Sequence, residues 1–312
     1  MTNSNIFLAF FLLVSILVAS NQGNCQTAPE LQQLYFISDC QQPLKLEELH
    51  LKPYRNMEAR DSLFSDIIRQ EPKNLFLLGD LTAAGSSSKK WNAVDYLLDI
   101  LHDRHTYIHA IPGNHEYMMN ARHGMRNYQT RFPADLLYGY CVTVDSIAIL
   151  MLNSNFSKLG SAGIKKQQLW YNSTMDSLNL AEGIKMILVC THHSPFTNSK
   201  IVKPSELVIE KFLPKFYKSP KSILFISGHS HNLEFFGDRF KKHFLVIGGG
   251  GGLKQPLRSS DKKLFADLIQ QPNKPTYFYL VAERKGNTLH LYARGLQKDF
   301  QRMITFEIAQ IQ

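Results

Sequence analysis

Seven residues of metal-holding types stand at or just beyond the ends of apolar runs: Asp39, Gln41, Asp80, Asn114, His192, His229 and His231. His193 adjoins His192, and residue type alone does not separate the two. Carboxylates, imidazoles and amide oxygens together suit borderline divalent ions such as Mn2+, Fe2+ or Zn2+ better than all-oxygen Mg2+ or Ca2+ sites. Seven groups are more than one tetrahedral ion uses. Two ions about 3.5–4 Å apart, bridged by a carboxylate, use them all. Such a pair lowers the pKa of a bound water and neutralises charge on an in-line phosphoryl transition state. The run Gly113-Asn114-His115-Glu116 supplies further chemistry. It joins a glycine that permits a tight turn to an amide oxygen, an imidazole for charge or proton work, and a carboxylate to orient that imidazole. His115 and Glu116 are the candidate catalytic residues.

These groups need strands to aim them. Residues 34–37 form a short β-prone run ending at Ser38-Asp39; 74–78 ends at Gly79-Asp80, and 107–111 leads into Pro112-Gly113-Asn114. Between them, apolar spacing over 54–70 and 90–101 predicts helices. That alternation is the grammar of a parallel sheet, whose ligands bind at the carboxyl ends of its strands. Residues 139–144 and 147–152 predict a hairpin in a second sheet, and 162–178 a helix with Trp170 packed. Runs 185–190 and 222–226 predict buried strands, ending at Thr191-His192-His193 and at Ser227-Gly228-His229-Ser230-His231. Residues 244–247 run into five glycines, 248–252, which implies a backbone passing close to something or a hinge. Residues 254–274 read as a surface insertion with a short helix around 264–269. Residues 276–282 and 288–294 predict a hairpin, and 302–308 an edge strand. Segment 122–138 reads as loop or helix at the rim, with Arg122 and His123 as rim candidates. No internal repeat or linker interrupts this pattern.

In order and spacing, these motifs resemble the calcineurin-like metallophosphoesterase superfamily, in the branch of purple acid phosphatases and cyclic-nucleotide phosphodiesterases. The family order is Asp-x-His, Gly-Asp-x-x-x-x-Gly, Gly-Asn-His-Asp/Glu, a lone His after a strand, and Gly-His-x-His. Here the counterparts are Asp39-Cys40-Gln41, Gly79-Asp80 through Gly85, Gly113-Asn114-His115-Glu116, His192, and Gly228-His229-Ser230-His231, within residues 33–252. The stretch Thr191-His192-His193-Ser194-Pro195 is similar to the His-His-Pro-Pro runs of bacterial relatives, which favours His192. The resemblance implies an α/β fold: a four-layer α/β/β/α sandwich of two mixed sheets flanked by helices. It implies two metal ions, drawn from Mn2+, Fe2+/Fe3+ and Zn2+, bridged by Asp80. Asp39, position 41 and His231 would hold the first; Asn114, His192 and His229 the second. His115 would touch the phosphoryl oxygen or protonate the leaving group, with Glu116 orienting it. A metal-activated hydroxide would attack phosphorus in line, on a phosphate mono- or diester. Where the family usually has His, this chain has Gln41. Its amide oxygen can ligate but is a weaker donor than imidazole, so a looser first site is expected. The alternative is a metal- or phosphate-binding protein with a degraded site and little turnover.

The 312-residue chain is 44% hydrophobic and 20% charged, ordinary for a globular protein with a substantial core. A formal net charge of +9 favours anionic partners, phosphorylated small molecules among them. No dense Arg/Lys tract interleaved with aromatics favours nucleic acid. Residues 6–18 are almost continuously apolar, a signal-peptide length too short for a comfortable membrane span. The expected division is a signal peptide over 1–25 and one domain over 26–312, exported to a periplasm or secreted. Cleavage after Ser20 or after Cys25 both fit, and an uncleaved N-terminal anchor is the second option. Four cysteines without a CxxC form no disulfide framework; Cys141 and Cys190 read as buried thiols. Asn155 and Asn172 begin glycosylation sequons.

Overall fold

The structure, a computed structural model, describes residues 33–133, 137–269, 274–297, 300 and 302–312, with the short strand β1 (Cys25–Thr27). The segment expected to be a signal peptide, 1–25, lies outside the described residues, apart from Cys25.

The first third folds as its periodicity dictates. Strand β2 (Gln33–Ile37) is followed by the short helix α1 (Lys45–Glu48) and by α2 (Asn56–Gln70), then β3 (Asn74–Leu77), α3 (Ser88–Asp103) and β4 (Tyr107–Ala110). On α2 the buried Ala59, Leu63, Phe64 and Ile67 recur at helical spacing; on α3, Trp91, Val94, Leu97, Leu98 and Leu101 do the same. Helix α2 stops at Glu71, whose left-handed backbone lets its N–H donate to the Ile68 carbonyl, with Pro72 next. Helix α4 (Ala121–Arg131) fills the segment expected as loop or helix.

The hairpin strands β5 (Tyr140–Val144) and β6 (Ile147–Leu152) open the second sheet. They precede α5 (Phe156–Leu180, kinked at Gly160), β7 (Met186–Thr191), α6 (Glu206–Lys218), β8 (Ser222–Ser227), β9 (Leu233–Gly237) and β10 (His243–Ile247). Strands β11 (Phe278–Lys285), β12 (Thr288–Leu296) and β13 (Met303–Ile311) return to the first sheet, with β13 at its edge.

The two sheets run β1-β5-β6-β7-β8-β10-β9 and β13-β12-β11-β2-β3-β4, both mixed. One apolar core lies between them, carrying Phe36, Phe76, Leu188, Leu224 and Phe278. A second packs α2, α3 and α4 on the six-stranded sheet; a third packs α5 and α6 on the seven-stranded one. The result is the expected α/β/β/α sandwich.

Three local expectations need correction. No helix forms around 264–269. There the Asn198 carboxamide oxygen accepts the N–H groups of Leu264 and Phe265, and Asp267 accepts those of Phe235 and Ile269. Side chains from elsewhere satisfy the backbone that a helix would have satisfied internally. Helix α6 went unassigned and forms despite Pro214, because Val208, Phe212, Leu213 and Phe216 are all buried by it. Asn155 is buried, its amide bonded to the Pro112 carbonyl, so that sequon offers no accessible acceptor.

Candidate metal centre

Five strands end at one place. Asp39 lies two residues beyond β2, Asp80 three beyond β3, Asn114 four beyond β4, His192 directly after β7 and His229 two beyond β8. The first three strands belong to one sheet and the last two to the other, so the site straddles the sandwich at its carboxyl edge. Asp39, Asp80 and His229 adopt left-handed backbone, φ 60°, 52° and 66°. Such strain in non-glycine residues persists where surrounding structure enforces it. Here the enforcement is visible. Asp39 N–H donates to the Gly79 carbonyl at 3.1 Å, Cys40 N–H to the Asp80 carbonyl at 2.8 Å, and His229 N–H to the Asp39 carboxylate at 3.0 Å.

The imidazoles are aimed by their outer nitrogens. His192 Nδ1 lies 2.9 Å from the Leu78 carbonyl, His231 Nδ1 2.6 Å from that of Leu253, and His115 Nδ1 2.9 Å from that of Ala83. A carbonyl only accepts, so each ring carries its proton on Nδ1, and its Nε2 lone pair faces inward. There it meets other acceptors. His192 Nε2 is 3.1 Å from Asn114 Oδ1 and 3.3 Å from Asp80 Oδ2; His231 Nε2 is 3.3 Å from Asp39 Oδ1. One end of the Gln41 amide lies 3.3 Å from the same His231 nitrogen; assigning the amide so that its nitrogen donates to the Asp80 and Asp39 carbonyls, the orientation that satisfies both ends, makes that end the oxygen. Acceptors this close need a proton or a cation between them. The donor set fits a cation, and the structure brings Asp39, Gln41, Asp80, Asn114, His192, His229 and His231 together at this edge.

The titration shifts follow the same contacts. Burial works against charge on His192, but Asp80 outweighs it and pushes the imidazole up to about 9. Burial likewise opposes the raised pKa of His231, where the Asp39 carboxylate wins. Asp80 is held well below the carboxylate range, because His192 and His115 overcome its burial. His193 and His229 go the other way: burial and neighbouring imidazoles push His193 down to about 3 and His229 well below its ordinary value.

Around the ligands, close backbone approach dictates residue type. A Cβ on Gly113 would lie 2.2 Å from Asp80 Oδ1. The glycine run is a close approach, as its composition suggested: a Cβ on Gly252 would lie 2.6 Å from the His231 ring.

One expected contact is absent. Glu116 does not orient His115; the Ala83 carbonyl does. The fully buried Glu116 carboxylate instead accepts the backbone N–H groups of Asp80 (2.9 Å), Leu81 (2.8 Å), Thr82 (3.4 Å) and Gly113 (2.6 Å), tying two ligand loops together. Arg122 and His123 sit on the exposed first turn of α4, which Asn120 caps.

Several residues at the site went unread. Glu47 on α1 brings Oε1 to 3.7 Å from His115 Nε2. Nothing in its local pattern singles it out. Asn153-Ser154-Asn155 follows β6 as polar punctuation of the kind seen after the ligand strands. Asn153 bonds Tyr117 Oη, Ser154 bonds His193 Nδ1, and Asn155 bonds the Pro112 carbonyl. Glu234, buried on β9, accepts Thr197 Oγ1 at 2.6 Å and Asn198 N–H at 2.8 Å and lies 3.3 Å from Ser230 Oγ, bracing the His229 turn.

By fold, the chain is similar to a purple acid phosphatase from yellow lupin (Lupinus luteus) seeds, with a TM-score of 0.66 and 14% identity over 89% of this chain. It spans about half of the lupin protein, 53% of that chain. It is also similar to GAP50, the anchor in the inner membrane complex of Plasmodium (TM-score 0.62, 14% identity, 90% of this chain and 89% of that one). A third likeness is to a dimetal phosphatase from Danio rerio (TM-score 0.55, 13% identity, 90% of this chain and all of that one). At these identities the likeness concerns the fold. No curated protein matches the chain by sequence. The calcineurin-like phosphoesterase family matches residues 33–233, a span that holds every ligand motif, and the chain belongs to that family.

Proposed function

We propose that this protein is an exported metallophosphoesterase that hydrolyses phosphate mono- or diesters with two divalent ions, each Mn2+, Fe2+/Fe3+ or Zn2+. The observation that carries the reading is the clustering of ligand-type atoms at the strand ends, with His192 Nε2 against Asp80 and Asn114, His231 Nε2 against Asp39, and His115 beside them. When bound, the ions supply a nucleophile at neutral pH and neutralise charge on the phosphoryl group. The chain's residues do the rest. Asp39, Gln41, Asp80 and His231 would hold one ion, and Asp80, Asn114, His192 and His229 the other. His115 keeps Nδ1–H on the Ala83 carbonyl and presents Nε2 to the site, 3.9 Å from Asp80 Oδ2. Burial pulls its pKa down, but the Asp80 and Glu47 carboxylates and the Ala83 bond outweigh that and raise it. When Nε2 carries a proton, it can pass it to the leaving oxygen. Glu116 positions both loops from behind and touches no substrate.

Purified protein supplied with Mn2+ is expected to release p-nitrophenol from p-nitrophenyl or bis-p-nitrophenyl phosphate, and His115→Ala to lower kcat about 10²–10⁴-fold. Wild-type protein that binds two metal ions and hydrolyses neither ester overturns the reading. A second reading, a metal- or phosphate-binding protein with little turnover, is favoured by Gln41, and GAP50 is an anchor on this fold. Export rests on the apolar segment 6–18. Among the described residues no helix is long and apolar enough to cross a membrane. Cleavage after Ser20 would leave β1 whole, and the amino-terminal sequence of protein recovered outside the cytoplasm checks it.

A further inference from the structure

His192 has two imidazole neighbours. His192, His193 and His229 each bring one ligand nitrogen within 4.8 Å of the others. Their ring centroids are 5.0 Å apart for His192–His193, 4.5 Å for His193–His229 and 5.1 Å for His192–His229. Bonds of about 2.0–2.1 Å set the nitrogens of one tetrahedral ion about 3.4 Å apart, so a small inward movement of the rings suffices. His193 is also held as a ligand is held. Its backbone N–H donates to Ser154 Oγ at 2.9 Å, and its Nδ1 lies 2.8 Å from the same oxygen. A hydroxyl oxygen can accept both, which leaves Nε2 with a lone pair.

On the other side of Asp80 the balance is reversed. Position 41 is an amide rather than an imidazole, and in the orientation that satisfies it, its two donors go to the Asp80 and Asp39 carbonyls, 3.1 and 3.3 Å away, which assigns the inward end to the oxygen. That group consists of Asp39, Asp80 and Gln41 oxygens with one imidazole, His231.

We infer that the two metal positions are chemically unequal: His193 is a third imidazole ligand of the His192/His229 position, while Gln41 makes the His231 position oxygen-rich. The nitrogen-rich position takes a borderline cation such as Zn2+ or Co2+ tightly. The oxygen-rich position takes a harder cation such as Mn2+ and exchanges it readily. This rests on the metallophosphoesterase reading, but its test needs no substrate.

Metal-stripped full-length protein is titrated with CoCl2, following visible d–d absorption and bound cobalt after gel filtration. Wild type is expected to bind one ion tightly and a second at least 10-fold more weakly. His193→Ala should weaken the tighter ion at least 10-fold, and Ser154→Ala, which keeps the imidazole but removes the hydroxyl that holds its Nδ1 and the His193 N–H, about 10-fold. Gln41→His should tighten the weaker ion. If His193→Ala does not fold, as judged by circular dichroism, Ser154→Ala decides alone. Equal affinities in wild type, or an unchanged tight ion in folded His193→Ala and Ser154→Ala, overturn the inference and leave the phosphoesterase reading standing. Protein with two unequal ions that cleaves no ester does the converse.

Discussion

Gly113→Ala places one methyl group where the ligand loops leave no room. The new Cβ would lie 2.2 Å from Asp80 Oδ1, 2.5 Å from Asp80 N and 2.8 Å from Asp80 Cγ. Gly113 is not among the residues with positive φ, so alanine is not strained there by its own backbone. Only the contact matters. A carbon–oxygen contact relaxes at about 3.3 Å, so the two loops must part by about 1 Å. The separation acts on the Asp80 carboxylate at the centre of the site, whose Oδ1 also accepts His115 N–H at 2.8 Å and whose Oδ2 faces His192 Nε2 at 3.3 Å. A misplacement of about 1 Å at a reacting centre lowers rate about 10²-fold, roughly 2.7 kcal/mol in the barrier. The assay is kcat/KM for p-nitrophenyl phosphate with Mn2+, alongside metal content after dialysis. Gly183→Ala is the control: its Cβ meets nothing within 4 Å, and its activity should match wild type. Gly113→Ala with kcat/KM within about twofold of wild type and full metal content would refute the argument that Asp80 is fixed by this approach.

Two further perturbations test the scaffold. Glu116→Ala orphans the buried N–H groups of Asp80, Leu81, Thr82 and Gly113. At about 1–2 kcal/mol each, less about 2 kcal/mol recovered because burial and Asp80 raise this carboxyl to about 6, the net loss is about 2–6 kcal/mol. Denaturant midpoints measure it, and a loss under about 1 kcal/mol would show the clamp to be idle. His109 is buried with Nε2 3.1 Å from Asn74 Oδ1, and burial pushes its pKa down to about 4. The unfolded chain takes up the proton near the ordinary value of 6.5, so the contribution of neutral His109 is full above that pH and fades as pH falls toward 4. Between about pH 7.5 and 5 the loss is about 2 kcal/mol. In metal-loaded His109→Gln the pH dependence of the midpoint should be flatter by that amount; equal slopes in the two proteins exclude His109 as the source.

What could be read from the sequence divides by how local the cause is. Asp39, Asp80, Asn114, His192, His229 and His231 were legible because each ends an apolar run that is long enough to be a buried strand, and parallel strands share a carboxyl edge. The glycine run was legible for a similar reason: nothing larger fits beside His231. Glu116 was legible as important and misread in role. Adjacency in sequence pointed to His115, whereas a 3-10 turn over His115–Tyr117 sends its carboxylate back to the Asp80 loop. Glu47 and Glu234 were not legible at all. Each acts across the fold, on His115 at a sequence distance of 68 residues and on Thr197 at 37, and no local pattern encodes such a partner.

The strained residues tie these observations to mechanism. Asp39, Asp80 and His229 are the three left-handed residues among the ligands, and each is fixed by bonds between loops rather than within one. Asp39 leans on the Gly79 carbonyl, His229 leans on Asp39, and Asp80 leans on Glu116. The conformation of any one ligand therefore depends on the strand end beside it. Ligand placement is consequently a property of the sandwich edge and does not wait for an ion. Gln41 belongs to the same framework, because in its assigned orientation the amide nitrogen reaches the Asp39 and Asp80 carbonyls, the second of which also accepts Cys40 N–H.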